Sequence, residues 1–123
     1  MPHVPDSKHI LVVDDDPRIR EILIQRLRTR GWTVEGAEDG DTAITKLATA
    51  DYDLLILDLM IGAVGGNDVF LALQSLPKKP RVIVVSALAD LWKRSHGDRD
   101  AFAVFPKPVE FSKLTDAIER ALL

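Results

Sequence analysis

The 123-residue sequence contains no cysteine. It can therefore form neither disulfide bonds nor zinc or iron–sulfur sites held by thiolates, and nothing indicates an oxidising compartment. Its apolar runs fall far short of the roughly 20 residues that a transmembrane helix needs. The first eight residues contain two prolines and an aspartate, and they lack the basic start and the apolar stretch of a signal peptide. These absences predict a cytoplasmic protein without a membrane partner.

An excess of positive charge is also missing. The chain has 16 Lys and Arg residues against 19 Asp and Glu residues, a formal net charge of −3. Proteins that bind phosphate backbones usually carry a strong positive excess, so we expect no direct nucleic-acid ligand. His3, His9 and His96 lack the spacing of metal ligands, and we expect their side chains to be solvated.

The chain length and the apolar fraction of 46% fit one compact domain. We expect a short polar leader over residues 1–7 and one domain over residues 8–123. The last apolar segment with helical spacing runs to the end of the sequence, so we expect no attached output domain.

Three apolar blocks predict the centre of a β-sheet. Residues 10–13 (ILVV), 54–57 (LLIL) and 82–85 (VIVV) are apolar without alternation, which is typical of parallel strands buried on both faces. Residues 32–36 and 101–105 are shorter candidates that complete five strands.

The segments between these blocks have helical spacing. Asp16 and Pro17 are suited to begin the first helix, and Gly31 to end it. Alternation of strands with helices predicts right-handed crossovers and a three-layer α/β sandwich. We expect the second helix to begin at Asp39 or Asp41, and the third to begin at Asn67 or Asp68. The fourth helix should lie around residues 88–95. The fifth should carry an apolar face formed by Phe111, Leu114, Ile118 and Leu122.

Polar residues follow the strand blocks. Asp14, Asp15 and Asp16 follow the first block, and Asp58 follows the second. Because the carboxyl ends of parallel strands meet at one edge of the sheet, where ligands bind, we expect these acids to cluster there. Clustered carboxylates need a cation, and oxygen ligands suit Mg²⁺. We interpret Asp16, which precedes Pro17, as a helix cap only.

Ser86 follows the third block, and Lys107 lies two residues beyond the last strand candidate. Lys107 brings a second cation, besides the metal ion, to the acidic edge. Two cations at one edge indicate that an oxygen-rich anion binds between them. A carboxylate nucleophile, a divalent ion, a lysine and a hydroxyl group together favour phosphoryl transfer, in which catalysis is mainly positioning and charge stabilisation. The expected product is an aspartyl phosphate.

Four segments resemble the signature blocks of bacterial response-regulator receiver domains, in the same order and with similar spacing. They are ILVVDDDP at residues 10–17, LILDLM at residues 55–60, VIVVSA at residues 82–87, and Lys107 with Pro108. The resemblance covers residues 8–123. It implies a flavodoxin-like (βα)5 fold with a parallel five-stranded sheet of order 2-1-3-4-5, acting as a stand-alone receiver of a two-component system.

The resemblance implies roles for the same residues. Asp58 would be the phosphoacceptor, taking its phosphoryl group from a phosphohistidine of a sensor histidine kinase or phosphotransfer protein. Mg²⁺ would be held by Asp14, Asp15, Asp58 and the backbone carbonyl of Met60. Ser86 and Lys107 would contact phosphoryl oxygens, and the bond between Lys107 and Pro108 would be cis. Such a domain assists its own phosphorylation and dephosphorylation but is not a turnover enzyme.

The resemblance implies that the face formed by the fourth helix, the fifth strand and the fifth helix binds a downstream protein or a second copy of the chain. Receivers usually have an aromatic residue at the position of Val104, and its side chain swings inward when the hydroxyl residue moves towards the phosphoryl group. Valine cannot make this movement, so we expect the signal to leave by the Ser86 loop and the fourth helix. Met60 and Leu88 flank the expected path of the attacking water, and we expect slow self-dephosphorylation.

Two further residues differ from the usual receiver sequence. Gly62 stands where a proline is usual. Pro106 precedes Lys107 where a residue with a backbone donor is more usual, and this leaves the orientation of Lys107 open.

Two alternatives remain at this point. In a phosphatase of the haloacid-dehalogenase type, Asp14 would be the nucleophile, but the order of the motifs does not fit and Asp58 would have no role. In a docking module of the same fold, no phosphorylation would occur, and Val104, Gly62 and Pro106 favour that alternative. Trp92 is a candidate interface residue on the fourth helix.

Overall fold

The computed structural model describes residues 8–62, 64–96 and 100–123. The expected polar leader, residues 1–7, lies outside the described residues. Within these described residues, five strands alternate with five helices. The elements are β1 (His9–Val13), α1 (Pro17–Arg28), β2 (Thr33–Ala37), α2 (Gly40–Thr49), β3 (Leu54–Leu57), α3 (Gly66–Leu73), β4 (Arg81–Ser86), α4 (Ala89–His96), β5 (Ala103–Pro106) and α5 (Phe111–Ala121).

The strands form one parallel sheet in the order β2-β1-β3-β4-β5. Val13, the last residue of β1, pairs with Leu57, the last residue of β3. The two central strands therefore end at the same level of the sheet, and the residues that follow them begin side by side. The predicted flavodoxin-like three-layer fold is confirmed.

Both faces of the sheet are covered, which explains the continuous apolar blocks. In β1, Ile10 and Val12 face a core formed with α1 and α5. Leu11 and Val13 face a second core formed with α2 and α3. Since neighbouring residues on a strand point to opposite faces, a strand between two cores must be apolar at every position. None of the described helices is both long and apolar enough to cross a bilayer.

Beginnings were predicted for the first three helices, and two of the three are confirmed. Asp16 accepts hydrogen bonds from the first turn of α1, and Asp39 rather than Asp41 caps α2. The prediction that α3 begins at Asn67 or Asp68 is wrong, because α3 begins at Gly66. A Cβ atom at Gly66 would lie 2.9 Å from the Cα of Leu59, so only glycine permits this close approach of the helix to the chain after β3.

Two strands are displaced from their predicted positions. β2 begins one residue later than predicted and β5 begins two residues later. Trp32 lies outside β2 and packs against the core of α1 and α5, and Phe102 lies outside β5 with 42% of its surface exposed. Their bulk and hydrophobicity resemble those of strand residues, but Trp32 packs against a core and Phe102 lies against the guanidinium group of Arg81.

The expected solvation of His9 is wrong. Its Nε2 lies 2.6 Å from Glu35 Oε2, its Nδ1 lies 2.9 Å from the carbonyl oxygen of Asp51, and its ring lies 4.1 Å from that of Tyr52. The Tyr52 hydroxyl also donates to Glu35, and this hydrogen bond is the main reason why the pKa of Glu35 is lowered. His3 and the side chain of His96 lie outside the described residues.

Trp92 is a packing residue and not part of an exposed interface. It is 5% exposed, and its ring stacks on Phe70 of α3 with centroids 5.3 Å apart. The exposed apolar positions of this region are instead Leu88, before α4, and Leu91, which is 58% exposed. Burial of Trp92 joins α4 to α3 beside the sheet.

Candidate functional site

Three carboxylates meet at the carboxyl edge of the two central strands. One oxygen atom from each of Asp14, Asp15 and Asp58 lies within 4.8 Å of the others. Asp14 is 3% exposed and Asp58 is 5% exposed, whereas Asp15 is exposed. The backbone amide of Asp58 donates to the carbonyl of Val13 over 2.9 Å, which extends the pairing of β1 with β3 into the site. We call these three residues the acidic site.

Lys107 bridges the two buried acids. Its Nζ donates to Asp58 Oδ2 over 2.7 Å and to Asp14 Oδ2 over 2.9 Å. Burial lowers the pKa of this ammonium group, but the hydrogen bonds that it donates to Asp58 and Asp14 outweigh that effect, and the pKa of Lys107 is raised above its ordinary value. Pro106 therefore does not turn Lys107 away from the site, and the predicted cis bond to Pro108 is confirmed.

The remaining carboxylate oxygens of the buried acids are held by backbone amides. Asp14 Oδ1 accepts from the amide of Asp16 over 2.9 Å, and Asp58 Oδ1 accepts from the amide of Met60 over 3.0 Å. The turn after β3 thus folds Met60, whose backbone carbonyl was predicted as a ligand, back towards Asp58. The Met60 side chain is 53% exposed.

Ser86 ends β4 and is fully buried. Its carbonyl accepts a hydrogen bond from the amide of Lys107, so the serine and the lysine lie on adjoining strand ends. Its Oγ accepts from the amide of Leu88 over 3.1 Å. This bond links the hydroxyl group to the segment that begins α4.

Gly62 and Val104 are two positions at which the chain differs from the usual receiver sequence. Gly62 has a φ angle of +95°, which a proline with φ near −65° cannot adopt, so the loop after Asp58 takes a path that excludes proline there. Val104 is partly buried and packs against the core of α2 and α3.

The acidic site has the donor set and the charge that Mg²⁺ requires. Carboxylate and carbonyl oxygens are the ligands that this hard cation prefers, and it needs few of them because it keeps several waters. The three carboxylates and the ammonium group of Lys107 carry a formal net charge of −2. A divalent cation would balance this charge.

Sequence reasoning gave no role to Arg20 of α1. Its Nη1 donates to the backbone carbonyl of Asp14 over 2.7 Å. The only sequence signal is its position four residues after the cap Asp16, in the helical turn that follows the acids.

Comparison with known proteins decides the family. The family model described as the response regulator receiver domain matches residues 10–119. The chain belongs to this family. Receiver domains of two-component response regulators are phosphoacceptors, not ordinary enzymes, and they interact with histidine kinases or phosphotransfer proteins. This assignment leaves no support for a phosphatase of the haloacid-dehalogenase type.

Curated relatives contain the receiver domain as part of a longer chain. The probable transcriptional regulatory protein SilR of Salmonella typhimurium is 34% identical over 114 residues, which cover 92% of this chain and 50% of SilR. The response regulator MprA of Mycobacterium ulcerans is 38% identical over 118 residues, which cover 95% of this chain and 50% of MprA. The chain spans about half the length of these relatives.

Solved receiver structures have the same fold. The response regulator TrrA of Thermotoga maritima, solved in complex with Mg²⁺ and BeF, superposes with a TM-score of 0.80 and 32% identity, covering 94% of this chain and 99% of TrrA. A receiver domain protein from Methanospirillum hungatei gives a TM-score of 0.85 at 27% identity, covering 95% of this chain and 94% of that protein.

Proposed function

We propose that Asp58 accepts a phosphoryl group from the phosphohistidine of a sensor histidine kinase or phosphotransfer protein, in a Mg²⁺-dependent reaction in the cytoplasm. The observation that carries this proposal is the position of Lys107, whose ammonium group contacts both Asp58 and Asp14 within the acidic site. This arrangement places a nucleophile, a fixed cation and a divalent-cation site together.

In the proposed reaction, a carboxylate oxygen of Asp58 attacks the phosphorus atom, a phosphorus–oxygen bond forms, and the phosphorus–nitrogen bond to the donor histidine breaks. Lys107 shifts from the carboxylate oxygen to a phosphoryl oxygen, and the Ser86 hydroxyl donates to another. Both groups act by positioning and by stabilising charge. Mg²⁺, held by Asp14, Asp15, Asp58 and the backbone carbonyl of Met60, would neutralise phosphoryl charge.

The test is intact mass spectrometry after incubation with acetyl phosphate and Mg²⁺, followed by fragmentation to locate the modified residue. We expect one added phosphoryl group, located on Asp58, and no addition when EDTA removes the metal. Modification of Asp14 would contradict the assignment of the nucleophile. Absence of any modification, with acetyl phosphate and with a phosphorylated histidine donor, would favour the docking module, for which Val104 and Gly62 remain the support.

The signal is proposed to leave through the Ser86 loop and α4. The Leu88 amide donates to Ser86 Oγ over 3.1 Å, and the Trp92 amide donates to the Leu88 carbonyl over 3.0 Å. A shift of the Ser86 hydroxyl towards the phosphoryl group would therefore act directly on the first turn of α4. The face of α4, β5 and α5, with exposed Leu91 and Phe102, is the proposed surface for a downstream protein or a second copy.

The aspartyl phosphate is expected to be long-lived. Met60 and Leu88 are the exposed apolar residues that lie two positions after Asp58 and Ser86, and neither can orient an attacking water. Met60→Asn would supply a hydrogen bond worth about 1 kcal/mol, which corresponds to about a fivefold faster decay. The decay is followed by mass spectrometry after removal of the donor.

Leu71→Asn is the control for this variant, because Leu71 is an apolar residue on α3 that is 71% exposed. Its decay rate should equal that of the unsubstituted protein. Loss of the phosphoryl group from the unsubstituted protein within seconds would contradict the expected long lifetime.

A further inference from the structure

We propose that Arg20 is a positioning residue for the Mg²⁺ site, which it serves by holding the backbone carbonyl of Asp14. The inference rests on the proposed function, because it presumes that the acidic site binds Mg²⁺. Arg20 itself contacts neither the metal nor the phosphoryl group in this proposal. It fixes the peptide that joins the two acids Asp14 and Asp15.

The guanidinium group of Arg20 contacts the main chain at the acidic site. Its Nη1 donates to the Asp14 carbonyl over 2.7 Å. Within residues 8–62, 64–96 and 100–123, it forms no salt bridge with a carboxylate. A short charge-assisted bond to a main-chain oxygen restrains the backbone and not a side chain.

This bond completes the fixation of Asp14. The Asp14 amide donates to the carbonyl of Ala37 over 3.2 Å, its Oδ1 accepts from Asp16, and its Oδ2 accepts from Lys107. The carbonyl is the remaining polar group of the residue, and Arg20 holds it. Because the same peptide leads into Asp15, rotation about it would move the exposed acid as well as the buried one.

A glycine in the neighbouring strand leaves space for two side chains of α1. A Cβ atom at Gly36 of β2 would lie 2.7 Å from the Cδ1 of Ile24, and 3.1 Å and 3.3 Å from the Cδ and Cγ of Arg20. Because Gly36 has no side chain, the aliphatic stem of Arg20 passes close over β2 beside Ile24, and its guanidinium group reaches the end of β1. The register, with Gly36 beside Val12, places this gap two residues before Asp14.

Groups that hold metal ligands in place typically change metal affinity by 10-fold to 100-fold when they are removed. Arg20→Lys retains the positive charge, but lysine lacks the planar fork of donors and is shorter, so it cannot make the same bond. We therefore expect Arg20→Lys to weaken Mg²⁺ binding by about tenfold, measured by isothermal titration calorimetry. Excess Mg²⁺ should restore phosphorylation by acetyl phosphate.

Arg28→Lys is the matched control. Arg28 lies on the same helix, and its Nη2 and Nε donate to the carbonyl of Val34 over 2.8 Å and 3.2 Å. The control therefore loses the same kind of bond with no change of charge, at a β2 residue away from the acidic site. Thermal unfolding without Mg²⁺ should be affected similarly in both variants, and only Arg20→Lys should bind Mg²⁺ more weakly.

Arg20→Gln gives a second measurement if Arg20→Lys does not fold. Loss of a positive charge alone would tighten Mg²⁺ binding, so weaker binding in this variant would again be caused by the lost hydrogen bond. Unchanged or tighter Mg²⁺ binding in the variants of Arg20 would overturn the inference. If the unsubstituted protein binds no Mg²⁺, the proposed function itself fails, and the two failures are thereby distinguished.

Discussion

Asp58→Asn is expected to abolish phosphorylation by acetyl phosphate and by a phosphorylated histidine donor. The amide oxygen of asparagine is not a competent nucleophile for phosphorus, and Asp14, the other acid that accepts from Lys107, is a metal ligand and not an acceptor in the proposed function. Intact mass spectrometry with Mg²⁺ should show the unmodified mass only. The fold should be retained, because the substitution preserves size and removes one of three clustered negative charges.

Asp53→Asn is the control for this loss. Asp53 precedes β3 where Asp58 follows it, and it also pairs with a lysine, Lys78. It therefore carries the same substitution at the opposite end of the same strand. Its phosphorylation should match that of the unsubstituted protein, and persistence of the label in Asp58→Asn would contradict the assignment of the acceptor.

Lys107→Met is expected to reduce both the stability and the reactivity of the protein. Removing one partner from a buried ion pair costs about 3 kcal/mol or more, because a charge is left uncompensated, and here two nearly buried carboxylates lose their shared ammonium group. We therefore expect the free energy of unfolding without Mg²⁺ to fall by about 3 kcal/mol. The phosphorylation rate should fall by about 100-fold, since a fixed group that stabilises the transition state is lost.

Mg²⁺ distinguishes this effect from general damage to the fold. The metal would supply positive charge to the same carboxylates, so it should restore much of the lost stability of Lys107→Met but not its phosphorylation rate. Lys78→Met is the control, because the pair of Lys78 with Asp53 is more exposed and is worth at most about 1 kcal/mol. A similar loss of stability in both variants by chemical denaturation would contradict the expected role of the bridge.

The raised pKa of Lys107 determines the pH range of this contribution. A lysine whose pKa is higher in the folded state stabilises the protein fully below its ordinary pKa, and the contribution is lost as pH rises through the raised value. Lys107 therefore remains an ammonium group throughout the neutral range.

The sheet and the gathering of the acidic site were predictable because they follow from periodicity and chain direction. The apolar blocks that became β1, β3 and β4 are buried on both faces and carry no alternation, and parallel strands bring the residues after them to one edge. The resemblance supplied the strand order and the cis bond. These features depend on each segment and its place in the chain order.

The features that escaped prediction depend on contacts between distant segments. The bonds of His9 with Glu35 and Asp51 require the edge strand β2 and the start of β3 to be in place, and a lone histidine carries no local sign of them. The early start of α3 depends on the fit of Gly66 against Leu59. The bond from Arg20 to Asp14 requires α1 to lie over the end of β1, with Arg20 and Ile24 passing close to Gly36, and in the sequence Gly36 reads as an ordinary glycine in a strand.

The packing of Trp92 has an optical consequence. Its indole ring stacks on Phe70, and its amide is one hydrogen bond from Leu88 and thus two from the Ser86 hydroxyl. The other tryptophan, Trp32, stands beside β2 against the opposite core. The domain therefore carries an intrinsic fluorophore at the start of its proposed output route, together with an internal reference on the far side of the sheet.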